Sequence, residues 1–405
     1  MIFGGQHMKN KEYDLCIVGG LGHIGLPLGI SFAAAGKKVV LYDINKDSLA
    51  TVSEGKMPFL ETGAESVLQE VIQKNLFLSH ERSSISKAHF VVVVIGTPVD
   101  KHLNPDFTVF INFFDDILDS IDSSQHVLLR STVLPGTTDK VRRYLESKGK
   151  NVKLSFCPER IAEGKAMEEL HVLPQIVSAF DEVSFEEAKE LFLCLTDEVI
   201  FLSPKEAELA KLFTNVWRYI QFATANQFYQ IATREGLDFY KIYSAITQNY
   251  PRAQNFPAAG LAAGPCLFKD TMQLASFSNN SFFLGHAAML INEGLPNFIV
   301  ERLKVKYNLI EKTVGILGMA FKANSDDKRE SLSYKLRKLL EVEAKKVLCT
   351  DTYIMEKGFV SAERLVEDSD IIILAAPHRE YKDLTIDKRK LIIDIWNFYG
   401  RGGQI

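Results

Sequence analysis

A short apolar run, Leu15-Cys16-Ile17-Val18, passes directly into Gly19-Gly20-Leu21-Gly22-His23-Ile24-Gly25, and apolar residues at helical spacing follow to Ala35. Few patterns leave a chain so little choice. In Gly20-x-Gly22-x-x-Gly25 the first glycine permits a tight turn, the second lets a pyrophosphate approach the backbone, and the third lets the helix pack on the strand. The helix start then offers unpaired N–H groups and a partial positive charge to phosphates. Gly36 supplies a left-handed stop, and the next apolar run, Val39 to Tyr42, ends on Asp43. A carboxylate there accepts hydrogen bonds from ribose hydroxyls and repels a 2′-phosphate. The glycines alone would equally suit a tight structural turn. With a strand before them, a helix after them and Asp43 at the next strand end, they predict a dinucleotide site that prefers NAD to NADP.

Further apolar strands run from Phe90 to Ile95, Val127 to Leu129 and Leu154 to Phe156, stopping on Gly96-Thr97-Pro98, Ser131-Thr132 and Pro158-Glu159-Arg160. Ligands of open α/β sheets bind beyond the carboxyl ends of the strands, so these stops place chemistry along one edge. From Lys205 to Glu235 there is neither Pro nor Gly, and Leu209, Leu212, Phe213, Val216, Trp217 and Ile220 keep the spacing of one helix face. A helix of that length bridges domains or pairs with a copy of itself, and a two-fold contact is preferred. The C-terminal part repeats the first pattern: strands at Thr313–Leu317, Lys346–Thr350, Ile371–Ala375 and Leu391–Ile395, a helix from Arg329 to Glu343, and an aspartate, Asp351, after the second strand, without GxGxxG. The expected fold is α/β, with two doubly wound Rossmann-like domains, 12–203 and 301–405, joined by a central helical domain, 204–300, that contains the long helix. Domains so joined would leave a cleft, a preferred place for a small-molecule site.

Composition narrows the function. The 405 residues carry 47 basic and 51 acidic side chains, a formal charge of −4, without the basic excess of a nucleic-acid binder. No apolar run approaches the roughly 20 residues of a membrane span. No secretory signal is visible. Residues 1–10 read as a loose leader, with Met8 a candidate start. Five cysteines without a CxxC pair suggest neither a disulfide framework nor a zinc site. The expectation is a cytoplasmic enzyme without a metal.

Cys16, Cys194 and Cys349 sit in apolar contexts and read as core residues, while Cys157 is ambiguous. Cys266 lies in Gly264-Pro265-Cys266-Leu267-Phe268-Lys269-Asp270. A thiol at a helix start beside a lysine is more readily ionised, and Lys269 and Asp270 would share its face. Cys266 is therefore either a catalytic thiol or a partly buried inert one. Lys211 and Asn215, one turn apart, could together hold an oxyanion or simply be solvated. Glu159 and Glu163 could handle protons or lie on the surface. Phe321-Lys322 and Asp326 to Ser331 suit phosphate recognition or a charged helix start.

Taken in order, these motifs resemble the UDP-glucose/GDP-mannose dehydrogenase family of nucleotide-sugar 6-dehydrogenases over about residues 12–400. The resemblance is carried by Gly20 to Pro27, Gly96-Thr97-Pro98, Ser131-Thr132-Val133 with Pro135-Gly136-Thr137, Pro158-Glu159-Arg160, Glu208 to Lys211 with Asn215, Cys266 to Asp270, and Phe321-Lys322 with Asp327 to Ser331. It implies a four-electron oxidation of a sugar C6 alcohol to the acid, with two NAD reduced and Cys266 forming first a thiohemiacetal and then a thioester. Lys211 and Asn215 would hold the oxyanion, and Asp270 with Thr132 and Glu159 would activate water. Gly20, Gly22, His23, Ile24, Gly25, Asp43, Thr97, Thr132, Glu163 and Arg329 would contact NAD. Glu159, Arg160, Lys211, Asn215, Arg252, Gly264, Phe321 and Lys322 would contact the nucleotide sugar, with Arg252 reaching across a dimer. Two departures stand out. Glu61-Thr62-Gly63 occupies a place where the family more often has Glu-Pro-Gly. Arg160 is similar to the branch acting on N-acetylated sugars, whereas Cys266 to Asp270 is similar to the glucose and GDP-mannose branch. A UDP-N-acetylhexosamine such as UDP-N-acetylmannosamine or UDP-N-acetylglucosamine is favoured, for surface polysaccharide. The alternatives are a UDP-glucose 6-dehydrogenase, a simple two-electron dehydrogenase, or a dinucleotide-binding regulator without turnover.

Overall fold

The computed structural model of the chain describes residues 11–97, 107–387 and 389–405. The expected leader at 1–10, with Met8, and Pro98 of the Gly96-Thr97-Pro98 stop lie outside the described residues. The chain divides into two compact units, 1–214 and 215–405.

The first unit is built on eight strands: β1 (Tyr13–Val18), β2 (Val39–Tyr42), β3 (Leu76–Ser79), β4 (Ala88–Val93), β5 (His126–Leu129), β6 (Lys153–Phe156), β7 (Gln175–Ala179) and β8 (Val199–Leu202). Their order is β3-β2-β1-β4-β5-β6-β7-β8. All neighbours are parallel except β6 and β7. Parallel strands are covered on both faces and need apolar residues throughout, and every residue of β2 and β4 is buried. β4 ends two residues earlier than its apolar run, because its pairing with β1 stops at Val18↔Val93 and Val94 to Thr97 leave the sheet. The strand order reverses between β1 and β4, which makes the loops after them the switch point where ligands bind. The helix Gly25–Ala34 follows β1 and stops as expected, with Gly36 at φ +85° and the Lys37 N–H donating to Phe32 O at 3.0 Å.

The second unit contains a parallel four-stranded sheet of β9 (Thr313–Leu317), β10 (Lys346–Thr350), β11 (Ile371–Leu374) and β12 (Leu391–Ile393), in the order β10-β9-β11-β12. Asp351, after β10, is the counterpart of Asp43. Here the carboxylate is buried and accepts the Met319 and Ala320 N–H groups at 2.6 and 2.9 Å, the Tyr353 and Ile354 N–H groups, and His378. It closes the turn after β9. The helix expected from Arg329 begins at Leu332. Glu330 takes a left-handed φ of +53°, and the Ser331 hydroxyl caps the helix.

The long helix runs Pro204–Arg234, 31 residues and about 45 Å at 1.5 Å per residue. Its apolar positions do not form the single face expected. Leu212, Val216, Tyr219 and Ala223 are buried, whereas Phe213 and Trp217 are 55% and 61% exposed, and Phe228 and Ile231 continue that outer stripe at 46% and 52%.

Candidate active site

At the β1 turn the glycines divide by physical role. A Cβ on Gly25 would come within 2.5 Å of Gly19 O and 2.8 Å of Gly20 Cα, so this glycine is required by the packing of helix on turn. A Cβ on Gly22 would meet nothing nearer than Gly19 O at 3.8 Å. Open space beside Gly22 at a helix start is what a pyrophosphate needs, so the turn fits NAD. Asp43 accepts the Leu21 N–H on Oδ2 and the Asn45 N–H on Oδ1, both at 3.0 Å, which fixes the carboxylate beside the turn. The His23 and Phe59 rings lie 4.0 Å apart. Thr97 and Thr132 lie on the loops after β4 and β5, at the same edge of the sheet.

Glu159, Arg160 and Glu163 follow β6. Glu159 is buried, and its carboxylate is engaged on both oxygens. Oε2 accepts from the Arg130 guanidinium, and Oε1 accepts the Arg160 and Ile161 N–H groups at 2.7 and 3.0 Å. Arg130 is itself fully buried. It also donates to Cys157 O and Gln175 Oε1, both at 3.0 Å, and lies over the Phe192 ring. This pair shapes the loop, and nothing in the sequence singled out Arg130 except its place at the end of an apolar strand. The Arg160 guanidinium donates to Pro174 O. Glu61 explains the Glu61-Thr62-Gly63 motif. Its buried carboxylate accepts the Gly164 and Ala166 N–H groups at 2.8 and 2.7 Å and so holds the loop that carries Glu163.

Lys211 and Asn215 are one turn apart on the long helix, and both are buried. Glu208 lies one turn before Lys211 on the same helix. Its carboxylate accepts the Gly136 N–H, and the N–H and hydroxyl of Thr138 at 2.7 and 2.6 Å. It caps the helix Thr137–Ser147 and ties the start of the long helix to it. Burial pushes the Glu208 carboxyl above its ordinary range, against the bonds from Thr138 and Gly136. The Pro135-Gly136-Thr137 and Glu208 motifs are thus two ends of one contact.

In the second unit Cys266 is the residue on which the helix Leu267–Phe277 opens, and Cys266 O accepts the Asp270 N–H at 2.9 Å. Asp270 is fully buried. Asn215 Nδ2 donates to its Oδ2 at 2.6 Å, and Lys269 Nζ stands 3.7 Å from Oδ1. Asn215, Lys269, Asp270 and the Cys266 backbone therefore form one contiguous cluster. Cys266 is the exposed thiol, whereas Cys16, Cys157 and Cys349 are buried. Burial pushes Cys157 up to about 12, which resolves its ambiguity in favour of a core thiol. Cys16 is likewise raised to about 12 and Cys349 to about 11. The half-buried Cys194 is raised too.

Gly264 lies against Phe321: a Cβ on it would come within 2.6 Å of the ring, and its N–H points to Glu330 O at 3.4 Å. The Phe321 N–H donates to Asp327 O at 3.0 Å. Arg329 is exposed and directed by Asp327, with Nε 2.9 Å and Nη2 2.6 Å from Oδ2. Lys322 Nζ stands over the Phe321 ring. Arg252 is exposed, 3.0 Å from the Tyr250 hydroxyl. A cavity of about 330 Å³ touches Gly264 and Phe268, and its walls do not include Cys266, Asn215 or Asp270.

Three domain profiles of one family match the chain in order: the NAD binding domain at residues 14–196, the central domain at 205–293 and the UDP binding domain at 315–401. The chain belongs to the UDP-glucose/GDP-mannose dehydrogenase family. It is an NAD-dependent nucleotide-sugar dehydrogenase, and its fold is the expected α/β class with a long central helix. It is similar to UDP-N-acetyl-D-mannosamine dehydrogenase from Methanocaldococcus jannaschii, at 29% identity over 96% of this chain and 93% of the relative. The enzyme of the same name from Pyrococcus horikoshii is 29% identical over 93% of each. The solved structure of a UDP-D-ManNAc dehydrogenase from Pyrococcus horikoshii superposes with a TM-score of 0.84 at 28% identity, covering 92% of this chain and 91% of that one. A UDP-glucose dehydrogenase from Pyrobaculum islandicum reaches 0.86 at 24% identity, over 97% and 95%, and attests the fold. No described helix is long and apolar enough to cross a membrane.

Proposed function

We propose that this dehydrogenase oxidises the C6 alcohol of a UDP-N-acetylhexosamine, UDP-N-acetyl-D-mannosamine in the first place, to the uronic acid through a covalent bond to Cys266. The observation that carries the chemistry is the exposed Cys266 opening a helix one turn before the buried, Asn215-held Asp270. The names of the relatives support the sugar.

NAD supplies the hydride acceptor for both oxidations and would be held by the turn at Gly20 to Gly25, by Asp43, and by Thr97, Thr132, Glu163 and Arg329. Loss of hydride from C6 and of the hydroxyl proton gives the aldehyde. Cys266 Sγ then adds to C6, and the new oxyanion is held by the Lys211 ammonium and the Asn215 amide. Loss of the second hydride leaves the thioester. Water adds to its carbonyl, a proton passes to Asp270, and the thiolate departs as the acid forms. Asp270 Oδ1 has no hydrogen-bond partner among the described residues, which suits this step. Glu159, engaged by Arg130 and two peptide N–H groups, acts by shaping the loop that carries Arg160 rather than as the base. Arg160, Arg252, Gly264, Phe321 and Lys322 would contact the nucleotide sugar.

We further propose a cytoplasmic homodimer. The outer stripe Phe213, Trp217, Phe228 and Ile231 supports it, because exposed apolar rows of this length mark protein contacts.

The test is to supply NAD with UDP-N-acetylmannosamine, UDP-N-acetylglucosamine, UDP-glucose and GDP-mannose. Two NADH per UDP-N-acetylmannosamine are expected, with acid formation abolished by Cys266→Ser. One NADH per sugar, or full acid output from that variant, would overturn the mechanism. Preference for UDP-glucose would overturn the substrate.

A further inference from the structure

The strap from Phe256 to Gly264, which delivers Cys266 to its helix, is tied along its length within the second unit. Phe256 O accepts the Tyr243 hydroxyl at 2.9 Å, Ala259 O accepts the Tyr240 hydroxyl at 3.4 Å, and Gly260 is held by Asn226 of the long helix. The Gly260 N–H donates to Asn226 Oδ1 at 2.9 Å, and Asn226 Nδ2 donates to Gly260 O at 3.0 Å. The Asn226 amide thus pairs with this peptide as a neighbouring strand would. Its second Nδ2 hydrogen reaches Asn292 Oδ1 at 2.9 Å, and Asn292 Nδ2 donates to Tyr219 O at 3.0 Å. Both asparagines are fully buried. The Trp396 ring also borders Gly260, since a Cβ there would come within 2.1 Å of it. Gly260 is fixed by an amide and an indole, six residues before the thiol.

Two amides buried inside helices are costly unless every polar atom is matched. Helix packing alone would be served as well by apolar residues. The paired N–H and C=O of Gly260 are what the Asn226 amide matches, with Asn292 taking its remaining hydrogen, and a satisfied buried amide rigidifies what it holds. We infer that Asn226, braced by Asn292, is a positioning residue that fixes the strap so that Cys266 meets the aldehyde. This rests on Cys266 being the nucleophile.

Asn226→Asp keeps shape and one acceptor but turns an oxygen toward Gly260 O and Asn292 Oδ1, and Asn226→Ser is the milder variant. Two readouts are needed: NADH per UDP-N-acetylmannosamine with hydroxylamine present to trap aldehyde, and the alkylation rate of Cys266 by iodoacetamide, followed by peptide mass. Acid formation should fall about tenfold while KM holds, because a misplaced thiol slows capture rather than binding. The NADH ratio should move from two toward one as trapped aldehyde appears, and the alkylation rate should change about threefold. Unchanged ratio and alkylation in folded variants would overturn the positioning role. If Asn226→Asp does not fold, Asn226→Ser carries both readouts. A wild-type ratio of one refutes the nucleophile assignment separately, and the alkylation rate then decides the positioning claim.

Discussion

Gly22 and Gly25 stand three residues apart in one motif, and alanine should act on them through different physics. At Gly25 the added methyl would press on Gly19 O at 2.5 Å and Gly20 Cα at 2.8 Å, both backbone atoms that cannot swing aside. Overpacking of this kind costs about 1–3 kcal/mol. At about 2–4 °C per kcal/mol for a unit of this size, the protein without NAD should melt roughly 2–12 °C lower. At Gly22 the methyl has open space, its nearest neighbour lying at 3.8 Å, and the backbone is outside the left-handed region. Gly22→Ala should therefore melt like the wild type without NAD. The methyl instead occupies the approach of the pyrophosphate. With NAD at about 100 times its dissociation constant, the wild type gains about 2.7 kcal/mol, and a tenfold weaker affinity removes about 1.3 kcal/mol of that. The NAD-induced shift should drop from about 5–11 °C to about 3–6 °C. The assay is a pair of melting curves, with and without NAD, for three proteins. A full NAD shift in Gly22→Ala, or a wild-type apo melting point in Gly25→Ala, would refute the division of roles.

Three further outcomes are expected. Arg130→Met leaves the buried Glu159 carboxylate without its cation and should destabilise by about 3–5 kcal/mol in denaturant titration, while Arg130→Met with Glu159→Gln should recover part of the loss. Burial raises the Glu187 carboxyl, but bonds from His126, His89 and Lys153 outweigh it and hold it well below its ordinary value. Its contribution to stability is therefore present above the ordinary carboxylate range and lost as pH falls below it. Melting curves between pH 3 and 6 should show a shallower acid decline in Glu187→Gln, and an unchanged slope would refute this. Trp217→Asp places a charge in the outer stripe of the long helix and should shift the protein to monomer in light scattering. A persistent dimer would show that the stripe is not the contact.

The sequence by itself determined whatever rests on backbone sterics and short-range pattern. The β1 turn, the Gly36 stop, the strand ending on Asp43, the buried strands and the length of the long helix all depend on neighbours within a few residues. The separation of Cys266 from the other thiols was also largely local, set by a proline, a helix start and a lysine. Tertiary structure alone decided what holds those pieces. Asn215 reaches Asp270 across 55 residues, and Glu61 reaches Gly164 across 103. Arg130 takes Glu159, Glu208 caps a helix that begins at Thr137, and Asn226 pairs with Gly260. A side chain's type says which bonds it can make, but which partner it meets depends on where sheets and helices bring distant backbone. The same reason explains the long helix. Spacing made Leu212, Phe213, Val216 and Trp217 one apolar band, and only packing divided it into a buried edge and an exposed one.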